Sequence, residues 1–222
     1  MDVILFMNQF PSLSKSQINE GNIPRETLKI ADFLRSIFLL SNSLLHENNL
    51  VIYCQNQFPK APHGLTLFFS GKRIRYLSPD ERGIVFLLYK IHKILSGVGG
   101  KKQEKREFVR FQQFEKAQST PGIYLKRGES GDMWNLLNED RDKFFIFGKR
   151  ISDHPHIILE DVEKKINHNS VLVFFSEDEM DFKPPLKSLF YYCDDMSWKA
   201  KFYQSELISY IQAKLLSEDP KQ

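Results

Sequence analysis

Two cysteines among 222 residues, Cys54 and Cys193, are too few and too far apart for a disulfide framework or a zinc cluster. Their scarcity makes a reducing cytoplasm the expected location. Long apolar runs are missing as well. No stretch approaches the roughly 18 to 20 uninterrupted apolar residues of a membrane span, so no membrane partner is expected. The N-terminal MDVILFMNQF has no basic residues ahead of its short apolar run and no small-residue cleavage site, and it reads as a first strand rather than a signal peptide. Charge of one sign is not in excess either, since 31 basic and 28 acidic side chains leave a formal charge of only +3. That permits contact with an acidic polymer such as RNA without demanding it.

Glycine clusters once, in SGVGGKKQEKRE at 96–107. The lysine spacing after Gly97 fails the phosphate-loop pattern, and the segment follows a predicted helix where a strand is required. It reads as a flexible connector between 1–96 and 108–222. Metal-ligand spacing is equally absent. Asp153, His154 and His156 are interrupted by Pro155, which disfavours a strand ladder of ligands, and no metal is assigned. Carboxylates at 177–181 and at Asp194 and Asp195 follow two predicted strands, and a solvated acidic rim explains them more simply than a Mg²⁺ site.

What is present is the pattern of an α/β domain. With 41% hydrophobic residues the chain can bury a substantial core. Apolar runs of strand length stand at 3–7, 50–54, 65–69, 122–125, 144–147, 171–175 and 189–192. Between them, helical spacing over 25–45 (Leu28, Ala31, Leu34, Ile37, Phe38) predicts one long helix, and 108–117, 133–137, 159–166 and 206–216 predict others. Residues 11–24 read as a loop and PKAP at 59–62 as a rigid extended turn. SPDERG at 78–83 opens a helix, with Ser78 as cap, Pro79 in the first helical position and Glu81 completing a capping box. Apolar strands alternating with helices predict a parallel sheet covered on both faces. QSTPGIYLKR at 118–127 admits two readings, a strand-initiating turn with a solvated basic end or a ligand-facing turn. Its cations, with Arg73, Arg75 and the cluster at 101–110, form a candidate RNA-facing surface on which Tyr76 and Tyr124 would stack.

Three motifs in this order, the PKAP turn, LSPDERGI at 77–84 and STPGIYLKR at 119–127, resemble the archaeal tRNA pseudouridine-54 N1-methyltransferase family, a branch of the SPOUT methyltransferases. The resemblance covers nearly the whole chain. It implies a single SPOUT-like domain with a parallel sheet flanked by helices and a C-terminal trefoil knot. It also implies a homodimer that binds S-adenosyl-L-methionine and methylates tRNA or another structured RNA. In one register of ETLKIADFLRS, Asp32 matches the family's acid that orients the base, with Arg35 close to the arginine a turn later. In another register, anchored on FLLS, the position falls on Leu28. The resemblance further implies a cofactor site around Phe175, Ser176, Glu177, Tyr192 and Cys193, and RNA contacts from Arg82, Ser119, Thr120, Lys126 and Arg127.

The chain departs from the family at the cofactor loops. SEDEMD follows the strand VLVFF where a glycine-bearing turn is expected, and Cys193, Asp194 and Asp195 replace small residues and a proline. Without glycine, backbone and ligand cannot approach closely unless the chain moves. Two functions follow as expectations: an RNA methyltransferase with an altered cofactor pocket, or a catalytically silent SPOUT-fold protein retained for RNA binding or dimerisation.

Overall fold

The computed structural model describes residues 1–40, 43–57, 64–75, 77–96, 122–128, 133–134, 136–137, 141, 143–148, 156–176, 189–193, 199 and 203–217. The first half holds β1 (Asp2–Met7), α1 (Lys15–Glu20), α2 (Arg25–Phe38), the short strands β2 (Leu39–Leu40) and β3 (Ser43–Leu44), β4 (Asn49–Cys54), β5 (Gly64–Ser70) and α3 (Glu81–Leu95). The second half holds β6 (Ile123–Gly128), β7 (Lys143–Phe147), β8 (His156–Ile157), α4 (Leu159–Lys165), β9 (Ser170–Phe175), β10 (Leu189–Cys193) and α5 (Gln204–Ser217).

Eight strands form one sheet in the order β6-β5-β4-β1-β9-β7-β10-β8. The sheet is mixed, not wholly parallel as the sequence suggests. The run from β4 through β8 is parallel, whereas β5 pairs antiparallel with both β4 and β6. Residues 55–63 are too few for the dozen or more that a parallel crossover needs, so β4 and β5 can only turn back on one another. Because β1 lies between β4 and β9, the sheet joins the two halves of the chain.

Alternation along the strands divides the core in two. Val3, Leu5, Leu50, Ile52, Phe145, Phe147, Leu172 and Phe174 point toward the layer formed by α2, α3, α4 and α5. Ile4, Phe6, Val51, Val173, Phe175 and Tyr192 point the other way, where Met133, Trp134 and Leu137 pack on them. Aromatic pairs run across neighbouring strands: Phe147 stacks on Phe174 at 5.0 Å, Phe145 on Tyr191 at 5.1 Å and Phe6 on Phe175 at 4.9 Å. Such pairs add to the burial of their own area. No helix among the described residues is long and apolar enough to cross a membrane.

Several local expectations shift. The loop expected at 11–24 contains α1, which Ser14 and Gln17 start with a reciprocal capping box and Gly21 ends in the left-handed region. α2 stops at Phe38, not near Leu45, and the chain turns into β2 and β3. The cap of α3 is Asp80, two residues beyond Ser78. Its Oδ1 accepts from the Gly83 N–H at 2.7 Å, and its Oδ2 accepts from the Ser78 hydroxyl. Pro79 therefore precedes the cap. The connector at 97–107, the helix expected at 108–117 and the PKAP turn lie outside the described residues.

At the amino end of the sheet a buried ion pair ties three segments together. Arg141 donates to both Asp2 oxygens, at 2.8 and 3.2 Å, and to the His168 carbonyl at 2.7 Å, while Asn49 donates to Asp2 at 2.8 Å. Both partners are almost fully buried, so the pair holds together the starts of β1 and β4 and the turn before β9.

Candidate functional site

The carboxyl ends of β1 and β9 open into a cleft. Succession along the chain leaves β1 toward β4 on one side, while β9 arrives much later on the other. Open sheets tend to hold ligands at such a switch point. The Ser176 N–H continues the ladder to the Phe6 carbonyl at 2.9 Å. One wall is the first three turns of α2 and the other is the start of α5. The cleft measures about 1540 Å³, beyond the ~300–1,000 Å³ of an ordinary small-molecule site.

Its walls are braced at their far end. The Ile37 carbonyl near the end of α2 accepts from the Gln212 side chain of α5 at 3.0 Å and from Asn48 at 2.8 Å. At the near end, Glu206 caps α5 by accepting from the Tyr203 N–H at 2.8 Å. The Gln204 Nε2 donates to the Phe175 carbonyl at 3.3 Å. α5 is thereby fastened to the last residue of β9. Two buried atoms at this corner have no hydrogen-bond partner, Ser176 Oγ and Gln204 Oε1. Four cations, Arg25, Lys29, Arg35 and Lys199, line the cleft, with Glu26, Asp32 and Glu206 as its carboxylates. Cations exceed acids by one, which suits an anionic or zwitterionic occupant.

The residues expected from the sequence separate into groups. Asp32 and Ser176 line this cleft, and so does Arg35. Leu28, the alternative to Asp32, stands one turn earlier on the same wall, so either register points to one place. Phe175 and Tyr192 do not turn that way. Both are packed into the core on the opposite face of the sheet, where burial pushes the Tyr192 phenol above its usual range. Cys193 is buried on the helix-bearing face.

Arg82 is exposed at the start of α3, its guanidinium 5.8 Å from the centre of the Phe86 ring. Lys126 is half-buried on β6. β6 is three strands from β1, a separation of about 14 Å at ordinary strand spacing. Arg127 belongs to the same strand. Glu177, Ser119, Thr120, the acids at 178–181 and the pair at 194–195 lie outside the described residues.

The PGIY turn resolves in its described part as the start of a strand. Gly122 has φ +83, and a Cβ there would run into the backbone of Arg73 and Ile74. Its carbonyl accepts from the Ser70 N–H at 2.8 Å, continuing the antiparallel pairing of β5 and β6. Among the described residues no group of three His, Cys, Asp or Glu side chains is placed to hold a metal ion.

Sequence reasoning missed Arg25, Lys29, Gln204 and Glu206. Each occupies an ordinary polar position of an amphipathic helix, and only the approach of α2 to α5 gives it a neighbour. Gly148 was also missed. It ends β7 in the left-handed region at φ +86, close to the Phe175 carbonyl and the Gln204 side chain, and FGKR was its only signal.

No protein-family model matches this chain, and no curated protein matches its sequence.

Proposed function

We propose that the chain is an S-adenosylmethionine-dependent RNA methyltransferase of the SPOUT type, resembling the tRNA pseudouridine-54 N1-methyltransferases and working as a homodimer. The observation that carries the reading is the convergence of Asp32 and Ser176, 144 positions apart, on one cleft at the carboxyl edge of the sheet. The order β9-β7-β10 supports it further. In chain order the strands fall at β7, then β8 at the far edge of the sheet, then β9 on the other side of β7, then β10 between β7 and β8, after which α5 packs on α2. A trefoil knot requires a route that doubles back in this way.

The residues present fit a methyl donor and an acceptor base together. The cleft is larger than one nucleoside needs, and Ser176, the residue that follows β9, lines it. When bound, S-adenosylmethionine supplies an electrophilic methyl group on sulfur. Ser176, next after the last residue of β9, would stand beside that donor. Asp32 faces the acceptor side, where its carboxylate orients a base and takes up the ring N–H proton as the nitrogen is alkylated. Arg25 and Arg35 offer planar forks to backbone phosphates. Most of the catalysis on offer is close, oriented approach, and the bracing of α2 against α5 supplies that.

Calorimetric titration with S-adenosylmethionine and S-adenosylhomocysteine tests the reading. Saturable binding at micromolar concentration is expected, and Asp32→Asn is expected to keep that binding while losing methyl transfer to tRNA. No heat at millimolar ligand would leave the catalytically silent RNA-binding or dimerisation module in its place.

A further inference from the structure

At the mouth of the cleft an aromatic ring stands where a helix cap is expected. Tyr203 immediately precedes α5, and its carbonyl takes the first helical hydrogen bond, from the Leu207 N–H at 2.9 Å. That position favours Ser, Thr, Asp or Asn, whose short side-chain oxygens accept from the N–H groups of the first turn. A phenol ring cannot do so. The cap is completed only from the other side, by Glu206 accepting from the Tyr203 N–H at 2.8 Å. Nor does the ring belong to the core, since Tyr203 is 78% exposed, more than any other large apolar side chain among the described residues. A singly exposed aromatic is ordinary on a surface. This one also displaces a capping residue and lines a cleft that Arg25, Lys29 and Lys199 line with it. Local rules are broken in this way mostly at positions that serve a ligand.

We infer that Tyr203 is a stacking residue, on whose ring an unpaired nucleobase lies at the mouth of the cleft, next along the strand from the nucleotide that enters it. This rests on the reading of the cleft as an RNA site and adds a contact that none of its charged groups supplies. Every base has a π face, so the contact holds the strand without choosing its sequence. It does require a base freed from its stack, because the rings within a duplex are covered by their neighbours. The main chain of Tyr203 is already fixed by α5, so binding orders only the two torsions of its side chain. The cations of the cleft meet the adjoining phosphates and set the strand's position.

Fluorescence anisotropy of a short single-stranded RNA of mixed sequence, titrated with the full chain, tests this. Tyr203→Ser removes the ring and restores a capping hydroxyl. It is expected to weaken binding by about fivefold to a hundredfold while raising the thermal midpoint by about 2–4 °C. A residue needed only for the fold would move both quantities in the same direction. Tyr203→Phe keeps the ring and is expected to bind as the parent does. The slope of log affinity against log salt is expected to be the same in all three proteins, because no phosphate contact is lost. An abasic strand of equal length is expected to bind the parent and Tyr203→Ser alike. Unchanged affinity in Tyr203→Ser, equal loss in Tyr203→Phe, or no binding of the RNA at millimolar protein overturns the inference. Ring-dependent binding without heat from S-adenosylmethionine would uphold it and sink the methyl-donor reading. Methylation of tRNA by Tyr203→Ser with the parent's KM would do the reverse.

Discussion

A single side chain at the amino end of the sheet illustrates how much can depend on one charge. Arg141 makes four hydrogen bonds, two of them to the fully buried carboxylate of Asp2. Removing one member of such a pair leaves the other buried without its counter-charge, at a cost of about 3–5 kcal/mol. Arg141→Met is therefore expected to lower the unfolding free energy by about that amount in urea titration. Neither residue announces itself in the sequence. Asp2 reads as a polar lead-in to a strand, and Arg141 is one more cation in a charged stretch.

Helices and strands show where local chemistry decides and where neighbours override it. The start of α3 depends on Asp80, whose carboxyl is held below its usual range by the Ser78 hydroxyl and then by the Gly83 N–H. A carboxylate with a lowered folded-state pKa stabilises the fold above its unfolded value, and that contribution disappears as pH falls through the folded value. Asp80→Ala is thus expected to lower the thermal midpoint at neutral pH, with the difference from the parent chain closing in acid. Glycines separate strain from collision. Among the described residues Gly148→Ala meets no atom closer than 3.8 Å, so its cost there is the left-handed backbone, about 1–2 kcal/mol. Gly122→Ala adds a clash with the Arg73–Ile74 backbone and is expected to destabilise far more, with β6 losing hydrogen-exchange protection first. β7 and β9 are legible from sequence because FFIF and VLVFF are apolar on both faces and admit no other placement. The cap of α3 is ambiguous in sequence because Ser78 and Asp80 both carry the cap signal, and only the hydrogen bonds select between them. α1 was hidden in a polar segment whose Ser14–Gln17 box was its single cue.

For the molecule as a whole, alternation of apolar runs discloses the α/β class but not the reversed β5. That strand's direction is set by the brevity of its connection to β4. Nor does the alternation reveal that α2 and α5, from opposite ends of the chain, form one cleft. The central position of β1 carries a consequence for synthesis. Its partner on one side, β4, emerges early, but its other neighbour is Val171–Phe175. During translation the strand must wait with that edge bare until Val171–Phe175 has left the ribosome, and closing so long a loop is slow. Until then the nascent chain exposes an apolar ribbon that a chaperone would be obliged to shield.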